Sequence, residues 1–187
     1  MLTKAASIIN KPVVGLENIL IFRLHDHFYA FPIAPIHQII EMVKITAVPQ
    51  LDGIMEGVVN FHGSILPLIS LSKHFSLVEE PRGLQTPILI VDLPQGLVGL
   101  IVDEVLEVRE ISTSQFIKPQ QLLPDLVGET SMIDNLIENK EGTIFHLNID
   151  QLFDQEQSAL LANTIESLSR KIKEDGLIPS SLVEDPH

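Results

Sequence analysis

Few stretches of this chain carry side chains that could do chemistry. His25-Asp26-His27 offers two imidazoles and a carboxylate. On a strand, alternate residues share a face, so His25 and His27 could hold a metal between them. They fall where a hairpin turn is expected, however, and no third ligand is predicted nearby. A catalytic zinc site usually takes three protein ligands, so a solvated turn is the favoured reading. Asp103 and Glu104 are adjacent, face opposite ways on a strand, and so cannot work as a carboxylate pair. The sequence has no phosphate loop, no dinucleotide glycine fingerprint, no serine elbow and no His-Glu-x-x-His. It has no cysteine, which excludes disulfides, cysteine metal sites and thiol nucleophiles. No reaction class, metal or cofactor is expected, and catalytic residues are expected to be absent.

The elements that would have to position such groups are those of a folded protein. Hydrophobic residues make up 45% of the 187 and charged residues 20%, a globular composition. The formal net charge of −13 argues against nucleic acid and against docking on an anionic membrane, both of which need clustered Lys and Arg. Asn10, Lys11 and Pro12 interrupt the N-terminus too early for a signal peptide. No window approaches the eighteen or so uninterrupted apolar residues that a spanning helix takes. A cytoplasmic protein without membrane insertion is expected.

Residues 1–17 read as a flexible lead-in. Ile19 to Leu24 is a buried-strand run, His25-Asp26-His27 a turn, and Phe28 to Phe31 a return strand closed by Pro32. Ile36, Ile39 and Ile40 then recur at helical spacing, followed by a short strand from Val43 to Ile45. Ala47 to Met55 is a loop broken by Pro49 and Gly53. Gly57 to Leu71 is the clearest unit, two apolar strands joined by a tight turn at His62-Gly63, where glycine accepts the positive φ of a two-residue hairpin. Pro67 lacks a backbone N–H, which predicts an edge strand or a bulge there. One turn of helix is expected over Ser72 to Phe75.

After a polar connector over residues 79–86, strands are expected at Pro87–Val91, Gly96–Val102 and Val105–Ile111. Residues 112–142 read as irregular, with a strand near Ser131–Ile137, and Thr143–Leu147 is a final strand. Short strands tied by glycine and proline turns point to barrels, and about ten of them could form two similar small ones. From Asp154, a cap, Leu161, Ile165, Leu168 and Ile172 lie on one stripe of a helix that Gly176 and Pro179 stop. Such a stripe is expected to pack back on its own barrels, or else on a partner. Residues 177–187 read as a frayed tail.

Four stretches together resemble the CheW-like family of bacterial chemosensory scaffolds. They are Phe28–Pro32 with Ile36–Glu41, the hairpin Gly57–Leu71, the Gly-x-x-Val-Asp-x-Val-like run Gly99–Val108, and Ile144–Leu152. The resemblance covers roughly residues 18–153, leaving 1–17 as lead-in and 154–187 as helix and tail. It implies a mostly β fold of two five-stranded SH3-like barrels, here with a C-terminal amphipathic α-helix. It implies a non-enzymatic adaptor that couples chemoreceptor signalling tips to the regulatory domain of a CheA-type histidine kinase. Such a protein is expected to be a monomer alone and assembled in arrays. A groove between the barrels takes the receptor tip in that family, which makes Ile36, Ile39 and Val102 candidates for it, although a buried strand valine is ordinary core. Asn60 and Gly63 match further motif positions, and Gln38 and His62 fall at two more; all four are candidate partner-binding residues by the resemblance.

Three positions depart from the family pattern. His62 stands for the usual arginine, Gln38 for the usual glutamate, and Ser70 for the frequent aspartate of Pro-x-x-Asp-Leu. Histidine titrates near neutrality and has fewer donors than arginine, so an ionic contact there would be weakened or replaced. A specialised array, such as one for pili or surface motility, competes with flagellar chemotaxis as the setting. A receiver domain has no room after residue 153, and a β-barrel enzyme or small-ligand carrier would show itself by turnover or a bound molecule.

Overall fold

The computed structural model describes residues 15–48, 53–122 and 132–175. Most of the expected lead-in, the loop breaker Pro49, the breakers Pro124 and Gly128, and the tail beyond residue 175 lie outside them. Ten strands form: β1 (Leu16–Leu24), β2 (His27–Pro32), β3 (Ile36–Glu41), β4 (Met55–Phe61), β5 (Ser64–Ser70), β6 (Pro87–Leu93), β7 (Gly96–Ile101), β8 (Glu104–Ser112), β9 (Ile133–Asn139) and β10 (Gly142–Leu147). Short helices α1 (Leu71–His74) and α2 (Pro119–Leu122), single 3-10 turns at Thr113–Gln115 and, capped by Asn148, at Ile149–Gln151, and a long α3 (Gln155–Asp175) accompany them. β1 begins within the stretch expected to be lead-in.

The strands make two five-stranded sheets, ordered β8-β1-β2-β10-β9 and β3-β6-β7-β5-β4. Each rolls up through a bridge from just beyond one edge strand to the other: Ile117 to Leu136 in the first, Thr46 to Val58 in the second. The two orders are the same once the first barrel is read from β8 through β10 and on to β1 and β2. The one parallel pairing then also falls at the same place, β10 with β2 and β5 with β7. The barrels are thus circular permutants of one another, with the second inserted between β2 and β8 of the first.

Alternation along the central strands sets the packing, because successive side chains point to opposite faces. On β1, Ile19 and Ile21 fill the first barrel while Leu20, Phe22 and Leu24 face outward. On β6, Ile88 and Ile90 fill the second while Leu89, Val91 and Leu93 face outward. The outward sets meet in a single inter-barrel core with Phe31, Leu100 and Val102, so these strands are apolar on both faces.

Three local expectations are corrected. Ile36, Ile39 and Ile40, read at helical spacing, belong to the strand β3, and Val43 to Ile45 is not a strand. β3 is a sheet edge with a bulge at His37, so its apolar residues do not alternate as a regular half-buried strand would. Pro67 lies on β5, which is neither an edge nor bulged at that residue. Both backbone groups of Val58, opposite Pro67, bond to Thr46 on the far side. That makes Val58–Pro67 a wide pair, with the proline nitrogen turned away from β4. The pairing with β7 begins only at Leu68, so no ladder bond is missing.

The hairpin turn forms where expected, with His62 at φ 49° and Gly63 at φ 80°, the left-handed pair of a type I′ turn. α3 starts at a reciprocal cap. The Asp154 carboxylate accepts from the Gln157 amide at 2.7 Å, and the Gln157 side chain accepts from the Asp154 amide at 3.2 Å. The helix follows the first barrel but lies on the second: Leu161 is buried in the shared core and Ile165 packs beside it, against Gly96. The side chains of Leu168 and Ile172 lie outside the described residues. Among those described, no helix is long and apolar enough to cross a membrane.

Candidate docking surface

The equivalence of the barrels pairs β3 with β8, and their registers agree residue by residue. Ile36 lies opposite Val91, and Val105 opposite Phe22. Next comes an unpaired bulge residue, His37 in one and Leu106 in the other. Gln38 then matches Glu107, Ile39 matches Val108, and Glu41 matches Glu110. Ile36 and Val105 both pack against the inter-barrel core, and Ile39 and Val108 lie opposite Leu89 and Leu20, which belong to it. Beyond that core the two edges keep apolar side chains in solvent, Ile39 at 41%, Leu106 at 40% and Val108 at 56% exposed. Each barrel therefore offers one edge strand whose apolar side chains lie partly on the shared core and partly in solvent.

Of the residues singled out in the sequence, Ile36, Gln38 and Ile39 come together on β3, with Gln38 exposed. Val102 is wholly buried in the inter-barrel core, where it packs behind the surface. Asn60, His62 and Gly63 gather at the β4–β5 turn, at the opposite end of the second sheet from β3. There the Asn60 side chain accepts from the Gly63 amide at 2.9 Å, and the exposed His62 ring stands edge-on to Phe61. Sequence reasoning missed Val105, Leu106 and Val108. Their signal was the likeness of Val105–Glu110 to Ile36–Glu41, which a circular permutation hides from a search for linear repeats.

Beside β3 a polar cleft of about 660 Å3 opens between the barrels, lined by Pro32, Pro35, His37, Asp92, Asp134 and Asp150. The His25-Asp26 turn is tied down through its backbone: the His25 amide donates to Asp103 at 2.6 Å and Arg23 donates to the His25 carbonyl at 2.7 Å. Among the described residues no group of three or more histidines and carboxylates could hold a metal ion. The β5–α1 junction carries an ionic network instead. Ser70 caps α1 and donates to Glu79 at 3.1 Å, while Arg82 bridges Glu79 and Glu56, and Lys73 reaches Glu56 at 2.6 Å. Burial alone would raise the Glu56 carboxyl, but Arg82 and Lys73 outweigh it and hold it below its ordinary value.

Two small barrels share one core, and each exposes apolar side chains on an edge strand. The chain belongs to the family of the CheW-like domain, which it matches over residues 18–157. It is 28% identical to chemotaxis protein CheW of Thermotoga maritima over 137 residues, 73% of this chain and 87% of that one. It is 27% identical to protein PilI of Pseudomonas aeruginosa over 103 residues, 55% of this chain and 57% of the other. The crystal structure of the scaffolding protein TtCheW from Thermoanaerobacter tengcongensis superposes with a TM-score of 0.65 at 28% identity, covering 74% of this chain and 92% of that one. The fold and the matches make this chain a non-enzymatic CheW-like scaffold of chemosensory signalling, from a family that couples receptors and CheA.

Proposed function

We propose that this scaffold couples a chemoreceptor signalling tip to the regulatory domain of a CheA-type histidine kinase, in the cytoplasm and within an array. The edge strands β3 and β8 take the receptor tip, with Ile36, Ile39, Val105 and Val108 as apolar contacts and Gln38 at the rim. Val102 backs them from the core. The observation that carries this reading is the matched pair of edge strands, which in both barrels keep apolar side chains in solvent next to residues that pack on the shared core. A helical hairpin presents apolar residues along one stripe and fits such a surface. The β4–β5 turn, with Asn60, His62 and Gly63, is a separate surface left for the kinase domain.

Titration of the purified chain with receptor signalling tips and CheA-type regulatory domains of its own organism tests the assignment. A ternary complex is expected. Ile39→Asp and Val108→Asp should each weaken the receptor arm at least tenfold, since an apolar contact becomes a buried charge, and leave the kinase arm unchanged. Loss of neither arm, or equal loss of both, would count against this surface. The departures at Gln38, His62 and Ser70 motivate a specialised array as the setting, with flagellar chemotaxis as the alternative; the relatives include both CheW and PilI. In a specialised array, restoring His62→Arg and Gln38→Glu together should change which receptor or kinase is preferred.

A further inference from the structure

At equivalent places on β5 and β10, two residues before the helix caps Ser70 and Asn148, the second barrel buries Leu68 and the first buries His146. Their parallel partners correspond as well, Gly99 for Leu68 and Ala30 for His146. His146 is 3% exposed, its ring stacked on Phe116 with centroids 5.0 Å apart. On one side the Asn135 amide nitrogen lies 3.3 Å from Nδ1, and on the other a Glu17 carboxylate oxygen lies 3.4 Å from Nε2, just off hydrogen-bond geometry. Asp134 and Lys118 are the remaining charges facing the ring. The cluster therefore joins the start of β1, strand β9, strand β10 and the segment after β8. That segment closes the barrel through the Ile117–Leu136 bridge, and it holds the chain at Gly15 through two bonds to Thr113.

A buried polar cluster is a weaker source of stability than the leucine its twin uses, so its presence asks for another role. We propose that Glu17, Asn135 and His146 form a proton-sensitive latch, which keeps the start of β1 and the 113–118 segment on the first barrel at neutral pH and lets them open locally in mild acid. In the neutral ring, Nδ1 accepts from the Asn135 amide, which leaves the proton on Nε2, facing Glu17. Protonating Nδ1 turns the acceptor into a donor, so the Asn135 amide must flip to meet it, and places a charge inside the barrel. Burial is the largest influence and holds the ring below the ordinary histidine value; Lys118 acts with it, while Glu17 and Asp134 act against it. The opened segment takes a proton near pH ~6.5 and the closed one only at lower pH. Opening is therefore favoured as pH falls between those values and is suppressed above them.

The test is an NMR titration of the His146 ring in the whole chain, run beside amide exchange at several pH values. The ring should titrate below the ordinary value. Opening of residues 15–20 and 113–118, corrected for intrinsic exchange, should rise about tenfold for each unit of that displacement. Exchange at Val59 and Leu66 in the second barrel should not change with it. In His146→Gln the pH-dependence of opening should vanish. A ring that titrates at or above the ordinary value would overturn the latch, because the Glu17 ion pair would then tighten it in acid. The same acid opening in His146→Gln would overturn it too.

Discussion

Ser70 is only 1% exposed and sits where the resembling proteins often have aspartate, and its surroundings explain the exchange. Its hydroxyl caps α1 and donates to Glu79, whose carboxylate thus takes the place an aspartate would occupy. Arg82 and Lys73 gather around Glu79 and Glu56, so the connector supplies the carboxylates of this network and the strand end supplies a hydroxyl. Restoring the aspartate should therefore harm this chain. Ser70→Asp sets two carboxylates against each other at a buried cap and should cost about 1–3 kcal/mol in urea unfolding. Adding Glu79→Gln should recover much of that loss, because the amide can donate to the new carboxylate. A double-mutant cycle without coupling would mean that Ser70 and Glu79 act independently. Gly57 makes a related point, since a Cβ there would lie 2.5 Å from the Thr46 carbonyl oxygen, inside the bridge that closes the second barrel.

At the scale of elements, α3 fastens the first barrel to the second. Its cap follows directly from the end of the first barrel, and Leu161 reaches the core that both share. Leu161→Ala should cost about 2–4 kcal/mol, the usual range for emptying a buried leucine site, whereas Leu160→Ala, at a half-exposed position, should cost far less. Equal costs would mean that the helix does not rest on the barrels as described. The helix, the central hairpin and most strands were legible because their patterns are local: a cap three residues from its partner, a two-residue turn, a stripe every three or four residues. β3 was not legible as a strand. An edge strand with a bulge buries its apolar residues at irregular intervals, which on paper look helical. Ile36, Gln38 and Ile39 were nonetheless singled out through the resemblance, while their counterparts on β8 were not. The order of strands that relates Val108 to Ile39 exists only once the chain has folded.

For the whole molecule, the largest of the three apolar clusters is not inside either barrel but between them. Phe22, Phe31, Leu89, Val91 and Leu100 would all lose their cover if the barrels parted, and each such side chain contributes about 1.5–3 kcal/mol by burial. The insertion adds to this. The second barrel leaves the first through the β2–β3 connection and returns directly into β8, so folding of the second brings together the ends that the first must join and removes the cost of closing a long loop. One barrel without the other is an incomplete fold, and the two should unfold as a unit. Calorimetry of the whole chain should give a single transition whose van't Hoff and calorimetric enthalpies agree, and the slowest-exchanging amides of β1 and β6 should share one opening free energy. Two transitions, or protection in β6 that outlasts that in β1 by several kcal/mol, would show that the shared core is a loose contact. A partner bound across both barrels would then have to hold them together as well as bind them.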